Sequence, residues 1–234
     1  GNGCPLRPSA HIGRGIHQSR PKSAGFVRAA SSMRQRQSSP RMKIEIVVGN
    51  IVAQPDADAI VNSANANLRL GSGVAGAIHT AAGPELAAFC RPFAPLAEGS
   101  ALITPGFKLP NPWVIHVVAA SFVNNPHADE ILEQALESMM KVANANNIKS
   151  IAMPAIGTGI FRCPAELSAL LTARVLSSYA RHGSCVEWVR ICVAREAIRS
   201  VFSSATLAAS EDSELAINRA AFSFTQGIQF SRRP

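Results

Sequence analysis

Residues 61–79, VNSANANLRLGSGVAGAIH, read as the end of a buried strand, a loop of small residues and the start of a helix. Val61 closes the apolar run DAIV (58–61), and from Gly73 onward the apolar residues recur at helical spacing. Between them stand Asn62, Asn65, the turn Gly71-Ser72-Gly73-Val74 and a single charge, Arg69. A strand that feeds a helix through a glycine turn is half of a parallel crossover unit, so the fold depends on whether the pattern repeats.

It repeats from Met42 onward. Apolar runs at 43–49, 58–61, 100–106, 113–118, 150–157 and 186–194 read as strands. Amphipathic stretches at about 73–82, 84–91, 128–146, 164–181 and 195–204 read as helices. Strands alternating with helices of ten or more residues predict an α/β fold, a three-layer α/β/α sandwich around a mixed, mostly parallel sheet. The expected domain covers residues 42–205, between a basic, disordered segment at 1–41 and an extension of unassigned role at 206–234.

The formal charge of +8 invites a nucleic-acid reading, but its distribution argues against one. Residues 1–41 hold eight cations and no acid, which leaves fifteen charges of each sign in the rest. The expected domain is therefore formally neutral and offers no electrostatic footprint for a phosphate backbone. No apolar stretch reaches the roughly 18 residues of a membrane span, so no membrane partner is expected. Five scattered cysteines without a CxxC pair fit a reducing compartment and no zinc site, which points to the cytoplasm. An Arg- and Ser-rich leader without acids also has the composition of a mitochondrial targeting segment, the alternative location.

In open α/β sheets ligands sit at the carboxyl ends of strands. Two glycine loops occupy such positions, Gly71-Ser72-Gly73-Val74 before the 73–82 helix and Gly157-Thr158-Gly159-Ile160-Phe161 after the strand at 150–154. Glycine lets backbone N–H groups converge on an anion, and a helix N-terminus adds unpaired donors and partial positive charge. Facing each other, the loops would suit a diphosphate. Neither is GxxxxGK[ST] nor GxGxxG, so an ordinary NTPase or dinucleotide dehydrogenase is not indicated, and a plain turn explains either loop taken alone. A turn closed by its own side chain accounts for Asn62, whereas an amide at Asn65 can both donate to and accept from a sugar hydroxyl.

The segments GNI (49–51), DAIVNSAN (58–65), GSGVAGAIHTAAGPEL (71–86), ITPGFKLP (103–110), VIHVV (114–118) and IAMPAIGTGIF (151–161) together resemble the macrodomain family, modules that bind ADP-ribose. The likeness runs through about residues 43–204. It implies that Asn50 and Ile51 meet the adenine, with Asn62 among the binding residues. It implies Asn65 on the distal ribose, loops 71–74 and 157–161 around the diphosphate, and Phe161 against the distal ribose. Asn65 and Phe161 are the residues it implies for catalysis. No metal and no cofactor are expected.

Three positions depart from the family pattern. Asn50 stands where Asp usually accepts from the adenine amino group, Ala194 where an aromatic often stacks on adenine, and Ala75 where one hydrolytic branch has Asp. Two functions remain open on the resemblance. One is hydrolysis of ADP-ribosyl esters, on mono-ADP-ribosylated proteins or on O-acetyl-ADP-ribose, supported by the asparagine, the loops and the ligand's own phosphate. The other is recognition of ADP-ribose without turnover.

Other candidates have structural explanations. His79 reads as a helix histidine bonded to backbone, His116 as a satisfied core residue, and Cys163 as a thiol without a neighbouring base. Glu166 complements the dipole of the 164–181 helix.

Overall fold

A computed structural model describes residues 42–210. The expectations for 1–41 and for the end of the extension lie outside the described residues.

The described residues form six strands, β1 (Lys43–Val48), β2 (Ala59–Ser63), β3 (Ala101–Pro105), β4 (Trp113–Val117), β5 (Ser150–Pro154) and β6 (Trp188–Val193). Five α-helices accompany them, α1 (Gly73–Ala82), α2 (Pro84–Cys90), α3 (Ala128–Ala145), α4 (Ala165–His182) and α5 (Glu196–Ser210). A short 3₁₀ turn, Arg91–Phe93, follows α2. The strands join in one sheet of order β1-β6-β5-β2-β4-β3. All neighbours run parallel except β3, which pairs antiparallel with β4 at the edge. The expected mixed, mostly parallel sheet is thus present.

Successive strand residues face opposite sides, and the two halves of the core follow from that alternation. Val61, Ile115, Ile151, Met153, Val189 and Ile191 share one cluster with Leu132, Leu136, Met139 and Met140 of α3 and with Val175 and Leu176 of α4. Ile60, Val114, Ala152 and Cys192 share the other with Ile78 and Ala82 of α1 and with Leu86 and Cys90 of α2. Each such Ile, Leu or Met side chain, once fully buried, contributes roughly 1.5–3 kcal/mol. The result is the three-layer sandwich.

The last helix continues past the expected end at 204. It runs to Ser210, with Phe202 buried and the Thr206 hydroxyl donating to the Phe202 carbonyl at 2.9 Å. Residues 206–210 therefore belong to the helix and not to an extension. No helix among the described residues is long and apolar enough to cross a membrane.

Candidate functional site

The β2–α1 and β5–α4 connections leave the same edge of the sheet, where they form a cleft of about 340 Å³. One wall is Gly71, Ser72, Gly73, Val74 and Ala75; the other is Gly157, Thr158, Gly159, Ile160 and Phe161. The two glycine loops singled out in the sequence therefore do face one space.

Gly73 opens α1 with φ at +60°, a conformation that costs any residue with a Cβ. The helix has no acidic residue in its first turn, and Ser72 at its N-cap makes no side-chain capping bond. Its first N–H groups, at Gly73, Val74 and Ala75, have no intrahelical acceptor and border the cleft. Across from them Gly157 has φ at +84°. The Thr158 hydroxyl donates to the Ala155 carbonyl at 2.8 Å, and the Cys163 N–H to the Gly157 carbonyl at 2.9 Å, so the loop is held from within. Among the described residues, Arg195 is the only formally charged one lining the cleft, and no carboxylate lines it. Backbone donors, a helix N-terminus and a cation are the features that suit an anion.

Asn65 lines the cleft beyond β2. Its Nδ2 donates to the Arg69 carbonyl at 2.8 Å, and its Oδ1 accepts from the Arg69 N–H at 3.2 Å. The side chain thus closes its own loop, and each end retains capacity for one further bond. Phe161 is half-buried on the opposite wall, and its carbonyl accepts from the Phe122 N–H at 2.9 Å. Ile160, 74 % exposed, projects from the rim.

Asn62 does not reach the cleft. It lies in β2 with its side chain turned to the α1–α2 layer, fully buried, and its Nδ2 contacts His116 Nδ1 at 3.1 Å. Its expected place among the ligand-binding residues, and its expected role in closing a turn, are both corrected: residue 65 closes the turn, and strand alternation sends residue 62 inward. The Ile51 side chain packs into the same inner cluster as Ile60 and Ile78, outside the cleft lining. Asn50 is exposed at the end of β1 and also lies outside that lining.

Around Asn62 is a buried polar group. His116 Nε2 lies 3.1 Å from Thr104 Oγ1 and 3.8 Å from Cys90 Sγ, and burial pushes the ring's pKa down to about 3, with help from His79. His116 is thus a satisfied core residue, as expected. His79 is not bonded to backbone: neither ring nitrogen has a partner, and its ring centroid lies 6.3 Å from that of His116. Burial lowers its pKa too. Burial likewise raises the Cys163 thiol to about 12, so no nucleophile is poised beside the second loop.

Sequence reasoning missed the end of the cleft formed by Val193, Ala194, Arg195 and Ile198, apart from Ala194. The rule that ligands gather at strand carboxyl ends points to Val193 and Arg195 as soon as β6 is placed beside β5. Ile198, on the first turn of α5, gave no local signal.

A family model described as Macro domain matches residues 61–172. A Macro domain-containing protein of Lactiplantibacillus plantarum is 36% identical over 71% of this chain and 98% of its own length. The O-acetyl-ADP-ribose deacetylase of Salmonella gallinarum is 38% identical over 67% of this chain and 90% of its own. Among solved structures, the Oceanobacillus iheyensis macrodomain with ADP superposes with a TM-score of 0.67 at 29% identity, covering 70% of this chain and 90% of that one.

Proposed function

Because this chain belongs to the Macro domain family, we propose that its cleft binds ADP-ribose and that the protein hydrolyses ADP-ribosyl esters. The substrates are O-acetyl-ADP-ribose or a mono-ADP-ribosylated acidic side chain of a protein. The observation that carries the reading is the cleft itself: two glycine loops face each other, Asn65 stands at one end and an apolar wall at the other. The deacetylase relative supports the ester chemistry.

The diphosphate lies between the α1 N-terminus and the Gly157 loop, where backbone N–H groups and the helix dipole offset its charge. Asn65, already fixed by Arg69, uses its remaining donor and acceptor on the distal ribose hydroxyls. Phe161 covers that ribose and excludes bulk water. Hydrolysis then adds one water to the ester carbonyl. The bond from carbonyl carbon to ribose oxygen breaks, the acid departs, and the ribose oxygen takes up a proton to become a hydroxyl.

Among the described residues no carboxylate lines the cleft, so none of them acts as a carboxylate base. The proton passes to a phosphate oxygen of the ligand, and the protein's contribution is to hold ester, water and phosphate together. Positioning of this kind replaces an encounter with an intramolecular step, which is sufficient for a labile ester. The reaction belongs in the class of slow hydrolases.

The test is a titration with ADP-ribose followed by incubation with O-acetyl-ADP-ribose and with an aspartate- or glutamate-modified protein. Binding with product above the uncatalysed background supports the hydrolase. Tight binding with no product over many hours leaves a module that only recognises ADP-ribose, a reading favoured by the same absence of a carboxylate from the cleft lining.

A further inference from the structure

The loop after β2 borders two hollows. On one side Asn65 and Gly71 line the cleft. On the other, Asn67, Leu68 and Arg69 line a second hollow of about 610 Å³, closed by Ala87 of α2, by Arg91 and by Pro95. The two share this loop as a dividing wall, since the Asn65 amide is bonded through both its ends to the backbone of Arg69.

The wall is built by the fold itself. Leu68 holds φ at +52°, in the left-handed region that a residue with a Cβ enters only at a cost, and its side chain is sealed into the cluster of Ile78 and Leu86 with 1 % exposure. The Leu68 N–H donates to the Asn65 carbonyl at 2.9 Å. The Leu96 N–H donates to the Ala66 carbonyl at 2.8 Å, which ties the segment after α2 to the same loop. With Leu68 turned inward, its neighbours Arg69 and Leu70 stand exposed, Leu70 at 62 %.

Charge sets this second hollow apart. Arg69 and Arg91 both line it and no acid does; Glu85 and Glu98, on the elements around it, lie outside its lining. Neither arginine makes an ion pair among the described residues. Two cations at one hollow, with nothing from the fold to offset them, suit an anionic partner.

Position identifies that partner. In the proposed function the ester sits on the distal ribose at Asn65, so a polypeptide modified on an acidic side chain leaves the cleft beside this wall. We propose that the hollow of Arg69 and Arg91 docks carboxylates of the modified polypeptide, with Leu70 beneath the crossing chain, so that the protein prefers ADP-ribose carried on an acidic segment to ADP-ribose carried on a neutral one. Each guanidinium is a planar fork that can meet a carboxylate with two parallel N–H···O bonds. The inference rests on the reading of the cleft as an ADP-ribose site.

Two synthetic peptides test it against the full chain. Each carries ADP-ribose on one side chain through a hydrolysis-resistant amide, flanked on both sides by two aspartates in one peptide and by two asparagines in the other. Displacement of a fluorescent ADP-ribose reads their affinities in wild type and in the double variant Arg69→Gln/Arg91→Gln, which leaves the backbone partners of Asn65 in place. The wild type should bind the aspartate peptide about fivefold more tightly at low salt, as two exposed ion pairs would give, and the preference should fall toward parity in the double variant and at high salt. Free ADP-ribose should bind both proteins within about twofold, which also shows that the variant is folded. Should the double variant lose ADP-ribose, Arg91→Gln alone, which touches no bond of Asn65, decides by whether the preference falls. Equal affinities for the two peptides in the wild type, or a preference that survives in a variant still binding ADP-ribose, overturns the docking site. A folded wild type that binds neither ADP-ribose nor either peptide overturns the reading of the cleft instead, and this inference falls with it.

Discussion

Gly157 and Gly159 stand two residues apart in one loop, yet the structure separates their reasons for being glycine. A Cβ on Gly157 would sit at φ +84° and 3.0 Å from the Cβ of Cys163, whose backbone N–H is bonded to Gly157 in turn. The left-handed backbone costs about 1–2 kcal/mol and the squeeze on a buried neighbour about 1–3 kcal/mol, so Gly157→Ala should destabilise the domain by about 2–5 kcal/mol. A Cβ on Gly159 meets nothing within 4 Å and requires no unusual φ. Gly159→Ala should leave stability within about 0.5 kcal/mol of wild type, because its methyl meets open space. Gly159→Glu goes further and sets a carboxylate against the diphosphate, with an expected affinity loss on the order of hundredfold. Urea denaturation of the three variants, with ADP-ribose calorimetry on those that fold, reads both effects. Wild-type stability in Gly157→Ala, or undiminished ligand affinity in a folded Gly159→Glu, would refute the reasoning and move the diphosphate elsewhere.

Asn65→Ala removes both bonds to Arg69 at an exposed loop; stability should fall by only about 1 kcal/mol, while release of acetate from O-acetyl-ADP-ribose at saturating protein should fall by tenfold or more, measured by product chromatography. Ala75→Asp places a carboxylate in the first turn of α1 on the cleft wall, and the rate at saturating protein should rise roughly 10²-fold if base catalysis was missing; an unchanged rate would show that the ligand phosphate already fills the role. Stability should also fall as pH drops below the ordinary histidine range. An unfolded His116 takes up a proton below about pH 6.5, while the native ring stays neutral down to about 3, so in that window the unfolded state binds more protons and gains on the native one. Between pH 6.5 and 5 the loss should be about 2 kcal/mol from His116, with His79 adding in the same direction; urea midpoints across that range check it, and His116→Gln should flatten the profile.

Local information in the chain was enough for the layer architecture and for the two glycine loops that line the cleft. Strand and helix periods differ, so the alternation from Met42 to α5 shows in the order of apolar residues, and glycines at strand ends mark where backbone has to turn or approach a ligand. Asn62 and Asn65 mark where that information stops. Both are asparagines at the end of one strand, and nothing within the segment shows that the first turns inward to meet His116, 54 residues away, while the second bonds to Arg69, four residues on. The same holds for Val193, Arg195 and Ile198, which join the site only because β6 pairs with β5. The turn at Asn50 closes on the Val52 N–H beside it, but Arg190 and Asn111, which hold Gln54 beneath that turn, come from distant parts of the chain. Pairing between strands is a long-range choice, made by the burial of whole faces and not by any residue's near neighbours, so it took the tertiary structure to decide which polar groups face the cleft and which are sealed beneath it.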